Sequence, residues 1–130
     1  MDFSTFDPSV QADEGADMEI IHPVTGEIFM DGDKPVTICV RGFESKTIKD
    51  LARKHARKAQ NGRKVDIEKN GFELLVAATI GWSGVSWEDE PLECTPKNVE
   101  MLYRERDFIG QQVLSFMSDA ANFFTEQSTD

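Results

Sequence analysis

Cysteine and histidine are scarce in this chain of 130 residues. There are two cysteines, Cys39 and Cys94, and two histidines, His22 and His55. Two cysteines are too few for a scaffold held by disulfides, so a reducing compartment is the simpler setting. Neither histidine lies at a metal-ligand spacing from a cysteine, which argues against a zinc site. We therefore expect no metal and no cofactor.

Positive charge and long apolar runs are also lacking. Asp and Glu number 24 against 14 Lys and Arg, which gives a formal net charge of -10. This charge disfavours nonspecific binding of the whole chain to nucleic acid or to an anionic membrane. No apolar run is long enough to cross a bilayer, and the acidic N-terminal residues do not resemble a signal peptide. We expect a protein of the cytoplasm of the cell that makes it.

Catalytic motifs are the third absence. The glycine-containing stretch 81–84 matches none of the phosphate-binding patterns, and the cysteines have no evident base partner. The carboxylates of residues 88–90 precede Pro91 in a polar stretch, where acidic clusters are usually solvated. We therefore expect a protein that is not an enzyme.

The domain organisation follows from the distribution of apolar residues. Residues 1–17 are acidic and contain few apolar side chains apart from Phe3 and Phe6, which predicts a flexible arm. Residues 18–125 have the apolar content of one domain with a modest core. Residues 126–130 are a polar tail.

The periodicity of the apolar residues predicts an α+β fold. Three short strands, at residues 18–21, 27–30 and 36–40, are separated by turns and predict an N-terminal antiparallel β-meander. A mainly helical body of about four helices follows. The predicted helices begin at N-caps formed by Ser45, Asp66, Thr95 and Asp107, and they end near Gln60, Ile80, Tyr103 and Phe124.

Both tryptophans lie between the second and third predicted helices. Gly81 is a plausible helix stop, and Trp82 and Trp87 follow it before the helix that Thr95 and Pro96 begin. Two large rings at such a joint would fix the angle between the helices. We interpret the pair as a rigid structural corner.

The first long helix concentrates the positive charge of the chain. Eight of the 14 Lys and Arg residues lie between Lys46 and Lys64. One interpretation is a solvated helix face that balances acids elsewhere in the chain. The other is a docking surface for an acidic partner segment, with Arg53, Arg57 and Lys58 as candidate residues. Binding of nucleic acid through this segment is a weaker, third reading.

The last predicted helix carries an apolar stripe that ends in two adjacent phenylalanines. Phe116 and Phe124 belong to this stripe, and Phe123 is the neighbour of Phe124. Adjacent residues of a helix point about 100° apart, so the rings of Phe123 and Phe124 cannot both face one core. We expect at least one of these two rings to be available to a partner or a second copy of the chain, with Phe116 as a further candidate contact. The alternative is a helix that is fully internal to the core, with one frayed ring.

Five pieces of the chain follow one another in a recognisable order. They are residues 22–27, residues 40–45 with the basic helix after them, residues 80–82 with the acidic loop after Trp87, residues 95–99 and the final segment with Phe124. This order resembles that of the tail assembly chaperones of bacteriophages and prophages. The resemblance covers about residues 18–124, and each of its motifs is a capping or packing signal. Many relatives have Asp-Ser where this chain has Glu44-Ser45.

This resemblance implies an assembly factor without catalytic activity. Such proteins bind the tape measure protein, help recruit tail tube protein, and act in the host bacterial cytoplasm without remaining in the mature virion. A homo-oligomer is a further expectation. Two alternatives stay open: a structural or adaptor protein of the virion, such as a neck or tail component, and a nucleic-acid-binding regulator that uses the basic helix.

Overall fold

A three-stranded antiparallel sheet lies at the centre of the computed structural model, which describes residues 1–62 and 64–124. Helices cover one face of this sheet, which confirms the predicted α+β class. The strands are β1 (Ala16–Glu19), β2 (Met30–Asp31), β3 (Lys34–Pro35), β4 (Thr37–Val40), β5 (Thr79–Ser83), β6 (Ser86–Trp87) and β7 (Glu90–Pro91). The helices are α1 (Ser9–Glu14), α2 (Lys46–Gln60), α3 (Ile67–Ala78), α4 (Pro96–Glu105) and α5 (Asp107–Ser118), and a 3₁₀ helix covers Ala120–Phe123.

Strand β4 is the central strand and pairs antiparallel with both β1 and β5. Side chains alternate between the two faces of a strand, so Ile38 and Val40 point to the same side, where both are fully buried. Helices α3, α4 and α5 supply most of the opposing apolar side chains. The core consists of Met18, Ile20, Ile38, Val40, Ile48, Leu75, Ala78, Val99, Leu102, Tyr103, Ile109, Val113 and Met117.

The sheet differs from the predicted meander because the second predicted strand, residues 27–30, is not one of its three strands. Residues 27–30 do not join β1 and β4; Ile28 forms an isolated bridge with Ile21, and Met30 belongs to the short hairpin of β2 and β3. The place beside β4 is taken by β5, which lies almost 40 residues further along the chain. Such a pairing is set by contacts distant in sequence, and local periodicity does not report them.

The apolar stripe that predicted a helix to Ile80 continues into this strand. Helix α3 ends at Ala78, and residues 79–83 are extended. The register of β4 with β5 shifts so that Val40 faces Thr79 while Cys39 faces Gly81. Ile80 is therefore the extra residue of a β-bulge. The predicted helix end at Gly81 is wrong, because pairing with β4 replaces the last helical turn.

Part of the predicted N-terminal arm is structured. Within residues 1–17, α1 forms and β1 begins, and Ala12 is 1% exposed. The Asp13 carboxylate accepts hydrogen bonds from Ser45 Oγ at 2.6 Å and Thr47 Oγ1 at 2.8 Å, which joins α1 to the start of α2. Residues 1–7 are exposed. The predicted polar tail, residues 126–130, lies outside the described residues.

Two of the four predicted helix caps are made by the expected side chains. Asp66 accepts a hydrogen bond from the Lys69 amide, and Thr95 accepts one from Asn98. Ser45 is at the N-cap of α2, but its hydroxyl is directed to Asp13 instead. The predicted cap at residue 107 is wrong, because Asp107 is the first residue of α5 and Arg106 occupies its N-cap.

Candidate partner-binding surface

An open groove of about 710 Å³ lies between α2, α3 and α4. Each of the three helices contributes at least one apolar side chain to it, and charged side chains stand along its edges. The lining residues are Leu51 from α2, Glu73, Val76 and Ala77 from α3, and Pro96, Lys97, Glu100, Met101, Arg104 and Glu105 from α4.

The groove exists because α2 is only loosely packed on the rest of the protein. Ile48 is its one buried residue, and Leu51 and His55 are half-buried. The side chains of Ala52 and Ala56, which the sequence places on the apolar side of this helix, are exposed. Helix α2 is buried against the core only near its beginning, at Ile48. Further along, it does not cover the apolar side chains of α3 and α4, which therefore form the open floor of the groove.

The groove is lined by charges of both signs. Glu73, Glu100 and Glu105 bring carboxylates to it, and Lys97 and Arg104 bring positive charge. Lys54 and Lys58 do not line the groove, but their spacing of i+3 and i+7 from Leu51 places them on the same stripe of α2. Among residues 1–62 and 64–124, Lys54, Lys58 and Lys97 form no ion pair.

The charge of Arg104, by contrast, is already paired within the protein. Its guanidinium lies 2.8 Å from carboxylate oxygens of Glu68 and Glu100 and 4.2 Å from the centre of the Phe72 ring. The bonds to these two carboxylates raise the pKa of Arg104. This side chain ties α3 to α4 and fixes one wall of the groove.

A histidine and a glutamate face each other where α2 meets α3. The Nε2 atom of His55 lies 3.8 Å from Oε1 of Glu73, and the His55 side chain is 14% exposed. This nitrogen is buried and has no hydrogen-bond partner among the described residues. His55 is thus packed against α3, and Glu73 brings its carboxylate into the groove.

The predicted basic site residues are divided between two sides of α2. Lys58 lies on the same stripe of α2 as Leu51, whereas Arg53 and Arg57 are about 160° and about 120° away from Leu51 by helical geometry. Both arginines are exposed, and Arg53 lies 3.2 Å from an Asp50 carboxylate oxygen. None of these three residues lines the groove, and Lys58 lies nearest in rotation to Leu51, which does.

The three predicted phenylalanines lie elsewhere. Phe123 is 6% exposed, and its ring meets that of Phe116 edge-on with centroids 5.5 Å apart. Phe116 and Phe124 are half-buried. Helix α5 ends at Ser118, and a 3₁₀ helix follows that directs Phe123 towards Gly42. Phe123 and Phe124 are therefore not adjacent residues of one continuous α-helix, as the expected angle of about 100° between them required. Phe123 is therefore part of the interior, and contact of another of these rings with a partner stays a prediction.

The tryptophans do not form a corner between two helices. Trp82 lies on β5, and its Nε1–H donates to the Leu92 carbonyl at 2.7 Å. Trp87 lies on β6, and the Arg106 guanidinium is 5.0 Å from the centre of its ring. Both rings are half-buried. Trp82 thus holds the segment after β7 against the sheet, and Trp87 contacts the residue that joins α4 to α5.

Sequence reasoning missed most of the groove, including Val76, Met101 and Lys97. The contributions of α3 and α4 depend on how these helices pack, which no pattern within one helix reports. Within the described ranges 1–62 and 64–124, no helix is long and apolar enough to span a bilayer, and no group of three His, Cys, Asp or Glu side chains is placed to hold a metal ion.

No family model, curated protein or solved structure matches the chain.

Proposed function

We propose that this protein is a phage tail assembly chaperone that binds the tape measure protein in the host cytoplasm. In this role it has no catalytic activity, it helps recruit tail tube protein, and it leaves before the virion is complete. The order of sequence segments that resembles this family supports the proposal. The groove between α2, α3 and α4 supplies the surface for it.

The open apolar floor of this groove is the observation that carries the proposal. Val76, Ala77 and Met101 contribute apolar surface from two different helices, and none of the three is fully exposed or fully buried. A tape measure protein is long and partly apolar, and before assembly its apolar segments need cover from water. A groove walled by helices fits an amphipathic helix laid along it.

Co-expression with the tape measure protein of the same phage, followed by pull-down, tests this proposal. The variant Met101→Glu places a carboxylate on the groove floor and should reduce the recovered tape measure protein at least tenfold, since burying an unpaired charge is strongly unfavourable. Leu114→Glu on α5 is the matched control, because Leu114 is 39% exposed and lies outside the groove. Equal recovery with both variants would reject the groove as the binding site.

A structural protein of the virion remains the main rival. Mass spectrometry of purified virions separates the two functions, because a chaperone should be absent and a neck or tail component should be present in fixed copy number. Detection of the protein at the stoichiometry of a structural subunit would overturn the proposal.

A further inference from the structure

Strand β1 lies at an edge of the three-stranded sheet, because only β4 pairs with it in the part of the chain that the structure describes. Ile20, the residue after β1, donates its amide hydrogen to the Val36 carbonyl at 3.2 Å, towards β4. The backbone groups of successive residues alternate in direction along an antiparallel strand. The N–H and C=O groups of Asp17 and Glu19 therefore point away from β4, and no described residue forms a hydrogen bond with them.

A glutamine side chain already covers one end of this edge. The Gln112 carboxamide of α5 accepts a hydrogen bond from the Ile21 amide at 2.9 Å and donates one to the Ile21 carbonyl at 2.6 Å. These are the two bonds that the backbone of a neighbouring strand would make. The open part of the edge is therefore residues 17–19, which span about 7 Å of extended chain.

An open cleft of about 740 Å³ lies beside this edge, between β1 and α5, and we call it the edge cleft. Its charged lining residues are all carboxylates, namely Asp17, Glu19 and Asp119. All three are exposed, and none forms an ion pair within the described ranges. Apolar surface comes from Ile21, which is 43% exposed, and from the half-buried ring of Phe116. The edge cleft thus combines unpaired backbone groups, negative charge and a small apolar contact.

We propose that the edge cleft binds an extended segment of a partner protein that carries lysine or arginine at alternate positions. The backbone of this segment pairs with Asp17 and Glu19 and adds a fourth strand to the sheet. Side chains of the added strand alternate between its two faces. Its basic side chains lie beside the two carboxylates, where opposite charges on neighbouring strands stabilise the pair, and its apolar side chains face Phe116.

The carboxylates also make a second copy of β1 a poor occupant. Pairing of two β1 edges would place Asp17 and Glu19 of one copy against those of the other, and like charges opposite one another are destabilising. Charged side chains on an exposed edge are a common protection against such pairing. The same charges attract a basic strand, so charge selects the partner. This site is separate from the groove between α2, α3 and α4, since no residue lines both.

Titration of ¹⁵N-labelled full-length protein with short peptides, followed by NMR, tests the proposal. The probe is acetyl-Lys-Val-Lys-Val-Lys-Thr-amide, and the control is acetyl-Glu-Val-Glu-Val-Glu-Thr-amide, which has the same length and the same apolar side chains. We expect the lysine peptide to shift the amide signals of residues 17–21 and to bind about tenfold more tightly than the control, or better. No binding of the lysine peptide, or equal affinity for both peptides, would overturn the proposal.

Charge reversal on the strand should reverse this preference. Asp17→Lys/Glu19→Lys should weaken binding of the lysine peptide by about tenfold or more and should allow the glutamate peptide to bind. Glu27→Lys/Asp33→Lys is the matched control, because both residues are exposed, lie outside the edge cleft and change the net charge by the same amount. Equal effects of the two variants would show that only the net charge of the protein matters, which contradicts a site on β1.

Amide hydrogen exchange separates strand addition from attraction by charge alone, and it uses the wild-type protein. The amides of Asp17 and Glu19 should exchange rapidly in the free protein and should slow as the fraction bound to the lysine peptide increases, because they gain hydrogen bonds. The amide of Ile20 is already bonded towards β4 and should change little. Binding without protection of Asp17 and Glu19 would reject strand addition. Protection of these two amides in a peptide-free dimer would assign the edge to a second copy and overturn the proposal.

Discussion

The hydroxyl of Tyr103 lies 2.6 Å from Oγ1 of Thr79 in the interior of the protein. Thr79 directs its own hydroxyl hydrogen to the Leu75 carbonyl at 2.9 Å, so Tyr103 is the donor between the two. Burial raises the pKa of Tyr103, which keeps the hydroxyl protonated for this role. The bond joins α4 to the residue where α3 ends and β5 begins, and thus stabilises the helix-to-strand change that local sequence did not predict.

A double-mutant cycle measures this contact. Thr79→Val leaves the Tyr103 hydroxyl buried without its partner and should destabilise the protein by about 1–3 kcal/mol. Tyr103→Phe removes the donor and should cost about 1 kcal/mol. The double variant should be less destabilised than the sum of the two, as contacting residues are not additive. Urea unfolding monitored by tryptophan fluorescence gives the three free energies; strict additivity would show that the hydroxyls do not interact.

The two tryptophans should contribute unequally to stability. Trp82→Ala removes a ring from β5 and its hydrogen bond to Leu92, so we expect a loss of about 3 kcal/mol. Trp87→Ala should cost less, because Trp87 lies on a two-stranded hairpin and packs partly against the exposed Arg106. Urea melts of both variants followed by circular dichroism test the order. A larger loss for Trp87→Ala would show that the hairpin, not β5, is the more tightly held element.

The contact of α1 with α2 should depend on pH. Hydrogen bonds from Ser45 and Thr47, with a smaller contribution from the charge of Arg41, lower the pKa of the Asp13 carboxyl below its ordinary value. A carboxyl with a lowered pKa in the folded state stabilises that state above the unfolded pKa of about 3.9 and stops doing so as the pH falls through the folded pKa.

Asp13→Asn should therefore lower the midpoint of urea unfolding at pH 7, and its difference from wild type should shrink as the pH falls below the unfolded pKa of about 3.9. Glu14→Gln is the control, since Glu14 is the exposed neighbour on the same helix. A difference between wild type and Asp13→Asn that stays constant over this pH range would show that the Asp13 charge does not stabilise the fold.

Gly42 has no room for a larger side chain. A Cβ atom at this position would lie 2.7 Å from Cε2 of Phe123. Gly42→Ala should push the ring outward and destabilise the protein by about 1–3 kcal/mol. Adding Phe123→Leu should recover part of this loss, because the smaller side chain vacates the ring position. Thermal unfolding of the single and double variants tests the pair, and no rescue would mean that the backbone, not the ring, resists the methyl group.

The two sides of α2 should differ in partner binding. Lys54→Glu/Lys58→Glu reverses charge on the stripe next to Leu51, whereas Arg53→Glu/Arg57→Glu reverses the same amount of charge on a stripe about 100° further around the helix. If the groove binds an acidic, partly apolar segment, the first variant should lose tape measure protein in the pull-down and the second should lose much less. Surface substitutions of this kind usually change stability by only about 0.5 kcal/mol each, so both variants should stay folded. Equal losses of tape measure protein with both variants would show that binding depends on the total charge of α2. A nucleic-acid-binding or purely electrostatic surface would have this property.

Removal of residues 119–130 should destabilise the folded domain as well as affect partner binding. Phe123 is buried against Phe116 and close to Gly42, so this deletion also removes part of the core. Loss of binding by that truncated protein would not identify a partner surface, and the groove variants are the sharper test.

Local sequence determined the α+β class, the helical character of most of the body, and the beginning of two helices. Asp66 and Thr95 could be recognised because an N-cap needs only a side-chain oxygen and the amide three residues later. The concentration of lysine and arginine on α2 and the exposure of Phe3 and Phe6 were likewise readable from the sequence. These features depend on neighbours within one or two helical turns.

Tertiary structure decided the rest, because it depends on residues far apart in the chain. Thr79 begins a strand since β4 offers an unpaired edge there, and a stripe of apolar residues satisfies a helix and a buried strand alike. Phe123 is buried because Gly42 leaves space for its ring. The groove exists only where α2 stops covering α3 and α4, and no pattern within a single helix records where a neighbouring helix ends.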